Sequence, residues 1–209
     1  MLKGIIFDFD GVVAQSVQVK TDAFAFLYKS YGDTIVKKVI KHHEANGGMS
    51  RFEKIKLYNE SFLNKVVTNE EIEKLANQFS KLVVKKVIES PYVPGVIQYI
   101  QKCTKKYKLF ISTGTPTDEM KEILNERGIA KYFMEVYGSP EKKSLHLSKI
   151  MSKYNYYPNE LIFYGDSATD IDAAEKADIP FVLIKNNFNE ELVKTYKGQI
   201  IFNFSNLYQ

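Results

Sequence analysis

The sequence predicts an α/β fold: a Rossmann-like parallel sheet with helices on both faces, interrupted by an inserted all-helical cap. From residue 91 onward, short apolar runs alternate with segments of helical spacing, which is typical of parallel strands joined by right-handed crossovers. Between about residues 16 and 90, apolar residues recur only at helical spacing. We therefore expect a core domain of residues 1–15 and 91–209 and a helical cap domain of residues 16–90.

The first predicted strand ends in two carboxylates. Residues 5–7 form an apolar run of the kind that is buried on both faces of a sheet. Asp8 and Asp10 follow it, and in an extended backbone their side chains project to the same side. Two adjacent anions repel each other, so either one carboxyl keeps its proton or a hard cation such as Mg²⁺ lies between them.

The other elements follow in order along the chain. Within the insertion, helical spacing occurs over residues 23–27, 55–62 and 72–83. In the core, the predicted strands are residues 108–112, 133–137, 161–164, 181–184 and 199–202, and the predicted helices are residues 96–106, 118–126, 145–154 and 171–177. Open α/β sheets bind ligands at the carboxyl ends of their strands. We expect the cap to stand over that edge.

Polar residues collect at this predicted edge. Thr113 and Gly114 follow the second strand and can offer a hydroxyl and a backbone N–H to an anion such as phosphate. Asp166 ends the fourth strand as Asp8 ends the first. Asp170 lies in the first turn of the next helix, where complementing the helix dipole is the alternative explanation.

Four segments, taken in order, resemble the motifs of the haloacid dehalogenase-like hydrolases. They are Asp-Phe-Asp-Gly-Val from Asp8, the Ser-Thr-Gly strand end, the lysines at 142–143, and Gly-Asp-Ser-x-x-Asp from residue 165. The resemblance spans residue 5 to about residue 184. It implies that Asp8 is a nucleophile that becomes an aspartyl-phosphate and helps to bind Mg²⁺, and that Asp10 is the general acid/base with its backbone carbonyl on the metal.

The same resemblance implies roles for the later motifs. Thr113 and Gly114 would bind the phosphoryl group, Asp166 would ligate the metal and Asp170 would support it. The cation that screens the phosphoryl charge is expected to be Lys143 or Lys142. Lys143 is preferred because the apolar spacing of residues 147–151 leaves it just outside an amphipathic helix.

The segment Gly-Met-Ser-Arg-Phe-Glu from residue 48 resembles the substrate-specificity loop of small helical caps, including that of the β-phosphoglucomutase branch. This resemblance nominates Arg51 to meet a second anionic group of the substrate; the alternative is that Ser50 caps a helix and Arg51 is solvated. Lys20 stands where that branch has a hinge histidine and is a second candidate for substrate binding. His42 and His43 lie in a charged helical stretch and are expected at the surface.

Composition narrows the possible partners. The net charge of +4 over 209 residues is too small and dispersed to predict nucleic-acid binding. No run approaches the roughly 18 apolar residues of a membrane span, and the chain begins directly with a core strand, so we expect neither a signal peptide nor a membrane partner. The single cysteine, Cys103, is expected in the core and agrees with a reducing compartment. We expect a cytoplasmic protein that is a monomer or weak dimer.

These observations predict a Mg²⁺-dependent phosphatase for a small phosphomonoester, such as a sugar phosphate or a phosphoglycolate-like compound. A phosphomutase is the alternative enzyme, favoured by the Arg51 loop and opposed by Lys20. Dehalogenase chemistry needs no acid/base aspartate, so Asp10 disfavours it. A non-catalytic binding module on the same fold is the alternative from another class, and the full set of acids argues against it.

Overall fold

The computed structural model describes residues 1–207, and within them six strands form one parallel sheet in the order β3-β2-β1-β4-β5-β6. The strands are β1 Gly4–Phe7, β2 Lys108–Pro116, β3 Glu135–Ser139, β4 Leu161–Gly165, β5 Phe181–Ile184 and β6 Gln199–Ile201. Strand β1 is buried along its whole length at the centre, as expected for a sheet that is covered on both faces. The predicted fold class is confirmed.

In the sequence, helices occupy residues 17–89, between β1 and β2, and we call this segment the insertion. Its helices are α1 Val17–Tyr28, α2 Asp33–Ala45, α3 Arg51–Leu57 and α4 Asn69–Glu89. Helix α4 begins with a capping box: Thr68 Oγ accepts from the Glu71 N–H at 3.2 Å, and the Glu71 carboxylate accepts from the Thr68 N–H at 2.8 Å. Rings of Phe24, Tyr58 and Phe79 pack together inside the insertion. Its standing as a domain of its own remains a prediction.

The remaining helices alternate with the strands. They are α5 Val96–Cys103, α6 Thr117–Glu126, α7 Lys143–Tyr154, α8 Ala168–Lys176 and α9 Glu190–Thr195. Several predicted boundaries were wrong: β2 ends at Pro116 instead of residue 112, β3 begins two residues later than expected, and α5 ends at Cys103 instead of residue 106. Helices α7 and α8 begin earlier than expected, and Lys143 is the first residue of α7 instead of lying outside the helix. The spacing of the buried apolar residues cannot locate the first turn, whose side chains face the site.

Side chains of β1 alternate between two apolar clusters. Ile5 and Phe7 face the larger cluster, which continues into the insertion, whereas Ile6 packs with residues of α7 and α8 on the other face. Cys103 is buried in the larger cluster, as predicted. Within residues 1–207, none of the helices combines the length and the apolar character that crossing a membrane requires.

The two chain segments that connect the insertion to the sheet run side by side. The Val93 N–H donates to the Val13 carbonyl at 3.1 Å, and the Gln15 N–H donates to the Pro91 carbonyl at 2.8 Å. Arg127 secures the second segment, because its guanidinium donates to three carbonyls at the end of α4, those of Val87, Ile88 and Ser90. The insertion is therefore joined to the sheet by paired segments that begin just after Asp8.

Candidate active site

Asp8 lies directly after β1 at the carboxyl edge of the sheet, and its side chain is buried. Its Oδ1 accepts from the Phe9 N–H at 2.7 Å, and its Oδ2 is 2.9 Å from Lys143 Nζ. The chain can turn away at once because Gly11 has φ +78°, and a Cβ there would lie only 2.0 Å from an oxygen of Asp166. A short strand, a buried carboxylate and a glycine turn thus set the centre of the site.

Strand order brings three carboxylates together. Oxygens of Asp8, Asp166 and Asp170 all lie within 4.8 Å of one another. Burial, with the neighbouring Asp170 and Asp10 charges and against the opposing charge of Lys143, raises the pKa of Asp8 to about 7. Burial and the charges of Asp8 and Asp170 likewise raise the pKa of Asp166 well above its usual value. A hard divalent cation would relieve this repulsion, and oxygen donors in this number suit Mg²⁺.

Two asparagines in the loop after β5 support Asp166. Asn186 Nδ2 donates to Asp166 Oδ2 at 2.7 Å, and Asn189 Nδ2 donates to the Asp166 carbonyl at 2.7 Å and to the Ile184 carbonyl at 2.8 Å. Sequence reasoning missed both. The signal was present, because amide side chains follow directly on a strand of the same sheet and must reach the same edge.

Asp170 serves two partners at once. One of its oxygens accepts from the Ser167 N–H at 3.1 Å and the Ser167 hydroxyl at 2.5 Å, which caps α8, and the other is 2.5 Å from Lys143 Nζ. Burial alone would lower the pKa of Lys143, but the charges of Asp170 and Asp8 outweigh it and raise that pKa. Lys142 is exposed just outside α7. The structure therefore brings Lys143, and not Lys142, to the carboxylates.

The Asp10 carboxylate lies outside the group of three. It pairs with Lys20 Nζ and accepts from the Ser16 hydroxyl at 2.6 Å, while Lys20 also donates to Thr115 Oγ at 2.7 Å. Burial would raise the pKa of Asp10, but the charge and hydrogen bond of Lys20 and the hydroxyl of Ser16 lower it. A metal ligand at this position would have to be the backbone carbonyl, which stays a prediction. Ser16 is a further contact that sequence reasoning missed.

The predicted phosphate-binding residues of β2 differ in access. Thr113 is completely buried, and its Oγ accepts from the Thr115 N–H at 3.2 Å. Gly114 lines the cavity, and a Cβ there would lie 2.8 Å from the Gly48 carbonyl of the insertion. A side chain at residue 114 would therefore push the insertion away from the sheet.

A cavity of about 810 Å³ lies between the sheet edge and the insertion. The sheet contributes carboxylates and amides to its wall, and the insertion contributes aromatic rings and cationic side chains. Its lining includes Asp8, Asp10, Asp166, Asn186, Lys20, Phe24, His43, Lys54 and Phe79. The carboxylates that follow β1 and β4 thus open into a space of the size that small-molecule sites occupy.

Arg51 lines the cavity and at the same time contacts helix α6. Its guanidinium donates to both carboxylate oxygens of Glu119 on α6, at 2.8 and 2.5 Å, and to Ser80 Oγ at 2.6 Å. It also lies over the ring of Phe79, 4.7 Å from the centroid. Ser50 caps α3, since its Oγ accepts from the Phe52 N–H at 3.3 Å, but Arg51 is buried and not solvated. Sequence reasoning missed Glu119.

The expected surface position was wrong for His43. His43 is 3% exposed, and Lys54 Nζ lies 2.8 Å from its Nδ1. Its place on α2 explains the error, because Val39 and His43, four residues apart, form the buried face of a helix that is otherwise charged. His42 is half-buried and contacts the Tyr58 hydroxyl at 3.2 Å.

Comparison with known proteins agrees with this geometry. The family model of the haloacid dehalogenase-like hydrolases matches residues 5–184. The chain belongs to this family, and the prediction of a hydrolase of this kind is confirmed.

Individual relatives share only part of the sequence with this chain. A phosphorylated carbohydrates phosphatase from Thermotoga maritima is 25% identical over 85% of this chain and 82% of its own length. A phosphoglycolate phosphatase from Vibrio vulnificus is 37% identical over 34% of this chain and 33% of its own length. The β-phosphoglucomutase from Clostridium difficile has the same fold, with a TM-score of 0.79 at 23% identity over 99% of this chain and 93% of the other.

Proposed function

We propose that this protein is a Mg²⁺-dependent phosphatase that hydrolyses small phosphomonoesters through an aspartyl-phosphate on Asp8. One observation carries the proposal. The buried Asp8 carboxylate opens into the cavity, 2.9 Å from the ammonium of Lys143 and beside two further carboxylates. A carboxylate attacks phosphorus only when the phosphoryl charge is screened, and this site holds a fixed cation for that purpose.

The residues divide the reaction into two displacements. In the first, an Asp8 oxygen bonds to phosphorus, the bond to the ester oxygen breaks, and Asp10 gives that oxygen a proton. In the second, Asp10 takes a proton from water, the water oxygen bonds to phosphorus, and Asp8 is released with free phosphate. The ion pair with Lys20 favours the ionised form of Asp10 that the second step needs. Thr113, Gly114 and Lys143 would hold the phosphoryl oxygens.

The carboxylates of Asp8 and Asp166, supported by Asp170, would hold Mg²⁺ together with the Asp10 carbonyl. When bound, the ion supplies a positive charge that polarises the phosphoryl group. Asn186 and Asn189 fix the orientation of Asp166 and so prepare the site for it.

The substrate is proposed to be a small metabolite. The cavity volume suits such a ligand, and the curated relatives are named for phosphorylated carbohydrates and phosphoglycolate. Lys20 lines the cavity and is a proposed substrate contact. Arg51 remains a predicted contact for a second anionic group, but it would first have to leave Glu119.

A phosphomutase is the second candidate, favoured by the resemblance of the Arg51 loop to the loop of that branch. The position of Lys20 opposes it, because a lysine occupies the place of the hinge histidine. A non-catalytic binding module is the third candidate. Location in the cytoplasm, a monomer or weak dimer, and the absence of nucleic-acid and membrane partners remain predictions.

A phosphate-release screen tests the proposal. The wild-type chain with Mg²⁺ is incubated with sugar phosphates, nucleotides, short phospho-acids and p-nitrophenyl phosphate. We expect free phosphate from several esters and none from the Asp8→Asn variant. Isomerised sugar phosphate in the presence of a bisphosphate activator, with little free phosphate, would identify a mutase. No product from any ester would favour the binding module.

A further inference from the structure

Lys54, on α3 of the insertion, is a buried lysine that the proposed reaction does not use. It is 1% exposed and lines the cavity. Its Nζ lies 2.8 Å from His43 Nδ1 and 3.4 Å from the His43 carbonyl oxygen. Burying an ammonium group is costly unless a countercharge accompanies it, so the surroundings of Lys54 call for an explanation.

Among residues 1–207, Lys54 takes part in no ion pair with a carboxylate. His43 supplies no negative charge either, because burial and then the charge of Lys54 hold its pKa well below its usual value and keep the imidazole neutral. Burial, and then the charge of Lys20, hold the pKa of Lys54 itself well below 10.5. An anion beside Nζ would therefore favour the ammonium form of Lys54.

Aromatic rings of the insertion lie in the cavity wall on the side of Lys54. The Phe24 ring lies 5.7 Å from Nζ, and Phe79 lines the same space. The charges of Asp10 and Asp166 reach across the cavity and act on Lys54 in the direction that raises its pKa. The insertion also lines this cavity with Lys20 and Arg51, but both of these cations already pair with carboxylates. A molecule with its phosphoryl group at the sheet edge would thus present its far end to the wall that holds Lys54.

Arg51 is not free to receive that far end. Both terminal nitrogens of its guanidinium already donate to Glu119, and one also donates to Ser80. Lys54, in contrast, can accept an anion without giving up an acid partner. Arg51 and Lys54 therefore differ in their partners. Arg51 is paired with Glu119, whereas Lys54 has no acid partner among the described residues.

We propose, building on the phosphatase function above, that Lys54 binds a second oxyanion of the substrate, a carboxylate or a phosphate at the end remote from the transferred group. The arriving oxyanion supplies the missing countercharge and forms a charge-assisted hydrogen bond with Nζ. The enzyme therefore prefers phosphomonoesters that carry a second acidic group over esters of the same size that lack one.

Binding to the Asp8→Asn chain tests this without turnover. Calorimetry with Mg²⁺ compares two matched pairs of probes: 2-phosphoglycolate with ethyl phosphate, and fructose 1,6-bisphosphate with fructose 6-phosphate. Each is measured on the Asp8→Asn parent, on the parent with Lys54→Met, and on the parent with Lys56→Met. Lys56 is an exposed lysine on the same helix and serves as the control.

We expect the parent to prefer one acidic probe over its partner, and Lys54→Met to reduce that preference by about ten- to a hundredfold, the size of a charged hydrogen bond. Lys56→Met should leave it unchanged. The pair that shows the preference tells whether the second group is a carboxylate or a phosphate. If Lys54→Met does not fold, Lys54→Gln replaces it.

Two results would overturn the proposal: a parent without preference in either pair, or a Lys54 variant that weakens both members of a pair equally, as a structural role would. Neither result bears on phosphatase activity, which is read separately from phosphate release by the wild-type chain.

Discussion

The carboxyl edge of the sheet and the insertion each bury a lysine, but only the sheet edge supplies carboxylates to it. Lys143 contacts Asp8 and Asp170, and their charges raise its pKa in spite of burial. Lys54 Nζ contacts the neutral His43 and no carboxylate among residues 1–207, and burial lowers its pKa. The sheet edge therefore supplies the countercharges of its own lysine, and this lysine can act on the phosphoryl group, which all substrates share. The insertion supplies no carboxylate to Lys54 among the described residues, and in our proposal this lysine distinguishes substrates by their second acidic group.

Asp8→Asn should have the largest effect. The amide is nearly isosteric but cannot attack phosphorus, so we expect phosphate release to fall by more than about a thousandfold with the fold retained. Steady-state phosphate release and the unfolding transition measure the two quantities. Asp172→Asn, which alters an exposed carboxylate paired with Lys176 on α8, is the matched control. Activity within tenfold of wild type would show that Asp8 is not the nucleophile.

Asp166→Ala and Asp170→Ala should separate metal binding from support of the lysine. We expect Asp166→Ala to raise the Mg²⁺ concentration needed for half-maximal rate by about ten- to a hundredfold. Asp170→Ala should change that concentration less and lower kcat at saturating Mg²⁺, because Lys143 and the α8 cap lose a partner. Titration of activity with Mg²⁺ after chelation gives both numbers. Equal shifts of the Mg²⁺ requirement would contradict this division of roles.

His146 provides a test of burial at the sheet edge through stability. It lies on α7, fully buried, with Nδ1 3.0 Å from Ser112 Oγ, and burial followed by the charge of Lys143 lowers its pKa to about 4. The unfolded chain binds a proton near pH 6.5 and the folded chain does not, so stability is full above pH 6.5 and falls as pH drops towards 4. The expected loss from this residue between pH 7 and pH 5 is about 2 kcal/mol.

Urea unfolding of the wild type and of His146→Gln at both pH values measures this loss. The variant should be less stable at pH 7 but should lose about 2 kcal/mol less on acidification. His42 and His43 act in the same direction in both proteins, so they cancel in the difference. Identical pH dependence in the two proteins would show that His146 titrates normally in the fold.

Glu119→Gln should have the smallest effect, and it tests whether Arg51 holds the insertion in place or contacts the substrate. The change removes the countercharge of Arg51 and loosens the contact between α3 and α6. We expect kcat/KM to fall about tenfold, by the same factor for p-nitrophenyl phosphate and for 2-phosphoglycolate. Glu122→Gln, at an exposed position on the same helix, should leave both values unchanged. A fall confined to one substrate would mean that Arg51 contacts the substrate itself.

Much of the sheet edge could be predicted from the sequence. Asp8 and Asp166 each follow an apolar strand, and parallel strands place such residues at one edge, so local pattern alone brought them together. The insertion was predicted by its helical spacing and confirmed as a run of helices. The preference for Lys143 over Lys142 agrees with the geometry, although the reason offered for it, a place outside the helix, was wrong.

The partners of the charged residues could not be predicted. Arg51 and Glu119 lie 68 positions apart in the sequence. Lys54 cannot be told from a surface lysine by its sequence neighbours, because its burial depends on how the helices around it pack. Periodicity reports which residues are apolar, but a buried charge breaks that rule and leaves no periodic signal. The end of β5 indicates that Asn186 and Asn189 lie near the sheet edge, but their hydrogen bonds to Asp166 depend on a loop conformation that no local spacing encodes.

The class of fold, the order of its elements and the carboxylates at the strand ends could be predicted without coordinates, because each of these follows from the spacing of apolar and acidic residues along a strand or helix. The tertiary structure alone decided which cation meets which anion. Lys143 and Lys20 meet Asp8 and Asp10, Arg51 meets Glu119, and Lys54 meets no acid among the described residues. Charge pairing depends on three-dimensional distance, and that distance exists only after the helices have packed against the sheet and against one another.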